Sequence, residues 1–212
     1  MTAALLDTVE EYLHRNESAL RKLLDGSRSY VQILKDAPSP VLVGSLPEGE
    51  DVNALVAAWA ADNELAIQKS LEAQRRFIAE SIARAAICGS ILQITYMAIQ
   101  LYSTNRAVPL KYQGVGPKNV GKFCIGREIR DIPVGLIVYA GRNQYNHMDE
   151  SRLSKLNEMI FKELATNYID GVSDPAFDLK KRALLVYSAN IVSLLEWNTY
   201  EVIRDELISI IK

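Results

Sequence analysis

Arg142, Asn143 and His147 fall within six residues of one another in the run from Gly141 to Glu150, and His147 is one of two histidines in a chain of 212 residues. An imidazole whose ordinary pKa lies near neutrality can take or give a proton at physiological pH. A guanidinium can place two parallel hydrogen bonds on the oxygens of a phosphoryl group that gains negative charge during reaction. Together they suit metal-free cleavage of RNA, in which a base deprotonates the 2′-hydroxyl, the oxygen attacks phosphorus and an acid protonates the departing 5′-oxygen. On a helix turning about 100° per residue, Asn143 and His147 share a face, while Arg142 and His147 stand roughly 140° apart. Arg142 must therefore reach with its long side chain or precede the helix. One chain supplies one such histidine to a reaction that uses both an acid and a base, and two facing motifs would supply both.

Around these three, Asn146 is a second candidate polar contact and Asp149 a candidate for orienting a ring nitrogen of His147. Tyr145 reads as packing, and His14, on an amphipathic N-terminal stretch, as surface or packing. His147 as a satisfied structural histidine is the plain alternative. Neither histidine has a His or Cys neighbour at ligand spacing, so no metal site is expected and no cofactor is implied.

The segment leading into the motif, Ile132-Pro133-Val134-Gly135-Leu136-Ile137-Val138-Tyr139-Ala140, continues into an Arg, a polar residue directly after it and a His five places on. With the Tyr145-Asn146 pair before the His, this stretch, about Lys122 to Glu150, resembles the HEPN-domain ribonucleases, in particular one bacterial subgroup. The resemblance implies an all-α, HEPN-like helical bundle with extra helices, and a homodimer whose motif-bearing helices face each other across a composite cleft. It also implies metal-independent endoribonuclease activity with Arg142, Asn143 and His147 as the catalytic residues. A role in defence or a toxin–antitoxin pair, with an antitoxin or defence protein as partner, follows from the resemblance alone.

The elements that must position the motif are helical by periodicity. Leu5, Leu6, Val9, Tyr12, Leu13, Leu20, Leu23 and Leu24 recur at helical spacing, giving an N-terminal helical region over 1–36. Three prolines and two glycines between Ala37 and Gly49 predict a loop over 37–50, after which Asp51 can cap a long helical region, 51–104, that Gly89 could bend. Residues 105–126 hold two prolines and four glycines and read as loop with short helix. Motif-bearing and C-terminal helices fill 127–212, with Pro133 suited to a first turn, the motif within or at the start of the helix that follows, and Asp170-Gly171 as a stop. Asp174-Pro175 reads as a cap and first-turn proline for a last helical region ending near Ile211. No run alternates strictly enough to predict a sheet, and the whole is expected to be a single helical domain.

The net charge of −2 argues against a protein that coats nucleic acid generally, yet the charge is uneven. Residues 105–147 carry seven basic side chains (Arg106, Lys111, Lys118, Lys122, Arg127, Arg130, Arg142) against Glu128 and Asp131. This basic island leads straight into the motif and could seat a phosphodiester chain, with Lys118, Lys122, Arg127, Arg130 and Asn146 as RNA contacts. A solvated loop is the bland alternative.

Two cysteines, Cys88 and Cys124, are too few for a disulfide framework and fit a reducing, cytoplasmic setting. The acidic N-terminus does not read as a signal peptide. Ala85 to Tyr102 is 18 residues without a charge, near membrane-spanning length, but Ser90, Gln93, Thr95 and Gln100 favour a buried bundle helix, so no membrane partner is expected. Phosphate-loop, dinucleotide and His-Glu-x-x-His signatures are absent. The rivals to a nuclease are a non-catalytic RNA- or nucleotide-binding module of the same fold and a purely structural dimerisation protein.

Overall fold

The computed structural model describes residues 8–43, 51–147, 153–166, 171–179 and 187–211. Among these the chain is all-α, with eight α-helices: α1 (Val9–Lys35), α2 (Val52–Asp62), α3 (Glu64–Ala79), α4 (Ser81–Tyr102), α5 (Val134–Asn146), α6 (Lys155–Thr166), α7 (Ser188–Leu194) and α8 (Tyr200–Ile210). Two short 3₁₀ turns, Leu110–Tyr112 and Val120–Phe123, lie between α4 and α5. The residues group into two compact units, one of Met1–Gly26 with Ala83–Lys212 and one of Ser27–Ile82. The first holds nearly all of the core.

Within that unit α1 presents Val9, Leu13, Leu20 and Leu24 inward, and the Tyr12 hydroxyl donates to the Ile94 carbonyl of α4 at 3.1 Å. Burial of that phenol pushes its pKa up to about 12. Helix α4 is long and apolar enough to cross a membrane by composition, yet Cys88, Ile91, Leu92, Thr95, Ala98 and Ile99 are all fully buried in this unit. The hydroxyl of Thr95 is satisfied by the Ile91 and Leu92 carbonyls of its own helix. The second unit is different in kind: α2 and α3 bury no residue.

Helix α5 is the central element of the first unit. Val134 to Gly141 are buried one after another, as in a helix surrounded by neighbours rather than lying on a surface. Full burial of Leu136, Ile137 and Val138 stabilises the fold by about 1.5–3 kcal/mol each. A helix buried at its start must find partners for its first amide hydrogens. Here Val134 N–H donates to the Arg127 carbonyl at 3.0 Å and Gly135 N–H to the Ile125 carbonyl at 3.1 Å.

Four features depart from the sequence expectations. Residues Glu128–Ile129 (β1) and Ile132–Pro133 (β2) pair antiparallel, with Arg130 and Asp131 at φ of 54° and 63° in the turn. Two residues per strand are too few to show alternation. The long helical region over 51–104 breaks at Asn63 and Glu80, and α4 runs on through Gly89. Gly89 admits Tyr145, whose ring a methyl group there would approach to 2.6 Å. The motif occupies the last turn of the helix that Pro133 leads into, and a separate α6 follows. The last helical region is split into α7 and α8 around Leu195–Thr199, and Asp174 closes a local turn by accepting from Ala176 N–H at 2.9 Å. Leu5, Leu6, Gly49, Asp149 and Asp170 lie outside the described residues.

Gly135 sets how deeply α5 sits, because an added methyl group would overlap the Phe123 carbonyl oxygen, which is backbone and has no rotamer to yield. Overpacking of this kind costs about 3 kcal/mol and the better helix propensity of alanine returns about 1. Gly135→Ala should therefore lose about 2 kcal/mol in urea unfolding; a gain in stability would show that this contact is not tight.

Candidate functional site

The site forms where α5 emerges from the core. Gly141 is buried against Ile191 and Leu92, and a methyl group at this position would press on both side chains. One residue later the helix turns polar. Arg142 reaches across to α4, where its Nε donates to Gln93 Oε1 at 2.8 Å and its guanidinium lies 4.6 Å from the centroid of the Tyr96 ring. Its Nη1 donates to Asn143 Oδ1 at 3.0 Å. With its amide turned to accept, Asn146 takes bonds from Arg142 Nε at 3.0 Å and Nη2 at 3.1 Å.

A guanidinium has five N–H donors. Gln93, Asn143 and Asn146 occupy three positions and leave one on each terminal nitrogen. These partners are neutral amides and an aromatic face, and among the described residues no carboxylate pairs with Arg142. A half-buried cation held in one orientation without a counter-ion is suited to accept an anion with two oxygens.

The aromatic wall behind it is continuous. Tyr96 stacks on Phe123 at 4.8 Å, and Phe123 meets Tyr139 edge-on at 5.1 Å. Tyr139 is almost fully buried; burial raises its phenol pKa, while a hydrogen bond from Asn143 and the nearby Arg142 charge act the other way. Asn143 thus engages Arg142 and Tyr139 through its side chain.

His147 is the residue that ends α5. Its N–H donates to the Asn143 carbonyl at 3.1 Å and its backbone leaves the helix at φ −123°, with the side chain exposed. The Arg142 cluster and His147 therefore share one helix terminus.

The basic island divides. Lys111 pairs with Glu163 at 3.1 Å, Arg127 with Glu206 at 2.8 Å and Arg130 with Asp174 at 2.8 Å. Arg127 also donates to the Leu195 carbonyl, and Arg130 to the Leu164 carbonyl and over the Phe177 ring. Lys122 donates to the Gln100 carbonyl at 2.6 Å, and Lys118 is exposed nearby. Of the proposed RNA contacts, Asn146 adjoins Arg142, Lys118 and Lys122 line one cleft, and Arg127 and Arg130 are tied into the fold.

Gln93 and Tyr96 were missed by the sequence reading. The signal was present: Gln93, Tyr96 and Gln100 recur at i, i+3 and i+7, a single face of α4 within an otherwise apolar stretch.

Among the described residues no group of His, Cys, Asp and Glu could hold a metal ion. Cys124 is a poor nucleophile, because burial pushes its thiol pKa up to about 11 and its Sγ donates to the Val120 carbonyl at 3.5 Å. The folded state thus keeps this proton above the pH at which the unfolded chain loses it. The stability it contributes is full below about pH 9 and is lost as pH rises through about 11. Alkylation of Cys124 in the folded protein should stay slow at neutral pH and accelerate as pH approaches 11. Fast labelling at neutral pH would refute the raised thiol pKa.

Compared with protein-family models, curated proteins and solved structures, the chain matches none.

Proposed function

We propose that this protein is a HEPN-like, metal-independent endoribonuclease that acts in the cytoplasm as a homodimer. The observation that carries the reading is the Arg142 guanidinium, fixed by Gln93, Tyr96, Asn143 and Asn146 with no carboxylate partner among the described residues, on the same helix end as His147. The resemblance of the stretch from Lys122 to Glu150 to HEPN ribonucleases supports it.

In this mechanism a scissile phosphate docks on Arg142 through the two remaining donors. One His147 removes the 2′-hydroxyl proton as the 2′-oxygen forms its bond to phosphorus. The bond from phosphorus to the 5′-oxygen breaks, and that oxygen takes a proton from a second imidazole, contributed by another copy of the motif. The products are a 2′,3′-cyclic phosphate and a 5′-hydroxyl. Arg142 binds the phosphorane oxygens more tightly than those of the ground state, which is where rate is gained. Defence or a toxin–antitoxin pair is the setting the family resemblance suggests, with an antitoxin or defence partner.

The test is incubation of mixed structured RNA with the protein in EDTA. Fragments ending in 2′,3′-cyclic phosphate are the expected result; intact RNA would reject the activity.

The second reading is a non-catalytic module that uses the same seat to hold RNA or a nucleotide, or to form a dimer. It is favoured by the fact that Gln93, Tyr96, Asn143 and Asn146 complete the guanidinium seat without His147. Salt-sensitive binding lost in Arg142→Ala, with RNA left intact by the wild-type protein, would select it.

A further inference from the structure

At the C-terminal end of α4 a cleft of about 470 Å³ is lined by Ser103, Thr104, Arg106, Lys118, Asn119 and Lys122, with no Asp or Glu among its lining residues. Its three cations differ from three others of the basic island. Lys111, Arg127 and Arg130 each meet a carboxylate, whereas among the described residues no ion pair joins Arg106, Lys118 or Lys122 to an acid. Lys122 spends one of three ammonium donors on the Gln100 carbonyl. Gathering like charges costs energy that a bound anion would offset.

The cleft is also built rather than draped. The amide nitrogen of Asn105 donates to the carbonyls of Gly121 at 2.7 Å, Ala107 at 3.1 Å and Cys124 at 3.2 Å, so one side chain stitches the Arg106 segment to the 3₁₀ turn that bears Lys122. Gly121 lets the Arg106 backbone approach so closely that a methyl group there would lie 2.9 Å from its carbonyl oxygen. Asn119 Nδ2 donates to Gln100 Oε1 at 3.0 Å. Gln100 shares the α4 face of Gln93 and Tyr96, and a seven-residue separation places it about 10 Å along the helix from Gln93. Phe123, next to Lys122, is the ring on which Tyr96 stacks.

We propose that this cleft is a second phosphate seat, in which Arg106, Lys118 and Lys122 hold the backbone of the same single strand whose scissile phosphate docks on Arg142. This rests on the proposed function for the identity of the strand. Cations at this seat read phosphate and not base or sugar, so the seat binds DNA as well as RNA.

That makes an uncleavable probe available: a labelled oligothymidylate, followed by fluorescence anisotropy across a salt series. Against wild type, Arg106→Gln/Lys118→Gln should weaken binding about tenfold and reduce the salt slope by about 1.4, two phosphate contacts on a single strand. Lys69→Gln/Arg75→Gln, which removes two cations from the other unit, should leave both unchanged, and circular dichroism would establish that each variant is folded. Equal weakening by both pairs, or unchanged binding in the cleft pair, overturns the seat. So does displacement of the oligonucleotide by orthophosphate at constant ionic strength and equal phosphate concentration, which would mark a site for free anions. Oligothymidylate binding that depends on the cleft, together with uncut RNA, would sink the nuclease and keep the seat. Cut RNA with an indifferent cleft would do the reverse.

Discussion

His147→Ala protein will leave RNA uncut under conditions in which the wild type cleaves it, with a loss of about 10²–10⁴ in rate if the imidazole transfers a proton. Arg142→Ala should lose about 10²–10³, the scale for removing a preorganised donor from a developing oxyanion. The two variants separate by their effect on binding. His147 ends α5 with its side chain exposed, so its loss should leave unfolding and oligonucleotide affinity close to wild type. Arg142 is a contact of Gln93, Asn143, Asn146 and Tyr96, so its loss should weaken binding and cost about 1 kcal/mol of stability as well. Arg142→Lys should not restore the rate, because an ammonium keeps the charge but cannot bond Gln93 and Asn146 while presenting two donors to a phosphate. Cleavage that survives in His147→Ala with unchanged kcat would remove His147 from the chemistry. Full activity in Arg142→Lys would reduce Arg142 to a point charge.

The second large effect is on folding. Arg130 and Asp174 form an ion pair at 2.8 Å in which each side chain is 13% exposed, and Arg130 also donates to the Leu164 carbonyl and covers the Phe177 ring. Deleting one partner of such a pair strands the other charge away from water and typically costs about 3–5 kcal/mol. Arg130→Ala should therefore unfold at markedly lower urea, whereas Lys118→Ala, on an exposed position, should change stability by less than about 0.5 kcal/mol. Because Arg130 sits at φ 54°, Arg130→Gly relaxes the turn backbone and isolates the side-chain loss. Both variants should be destabilised. Wild-type stability combined with lost RNA affinity would return Arg130 to the phosphate contacts that its charge suggested in the sequence.

These two residues show where reading the chain in order succeeds and fails. The chemistry of Arg142, Asn143 and His147 was visible because it depends on residue types within six positions. Their seat was not, since Gln93 and Tyr96 arrive from a helix about fifty residues earlier and are ordinary polar marks in an apolar run. The sign of the basic island was likewise plain, but neutralisation is a three-dimensional property. Glu163, Glu206 and Asp174 lie 44 to 79 residues from the cations they pair with.

The sequence by itself determined the helical class and many of the helix boundaries, because helical periodicity and capping are local. Asp51 accepts from Asn53 N–H as its position before an apolar run required, and Pro133 immediately precedes α5, where its missing N–H costs nothing. Tertiary structure decided how helices approach and which charges remain unpaired. Gly89 is a slot for Tyr145; Gly135 admits a backbone carbonyl; Gly141 lets α5 settle against Leu92 and Ile191. Such close approaches arise from packing between segments remote in the chain, and a glycine carries no local mark of which neighbour it will meet.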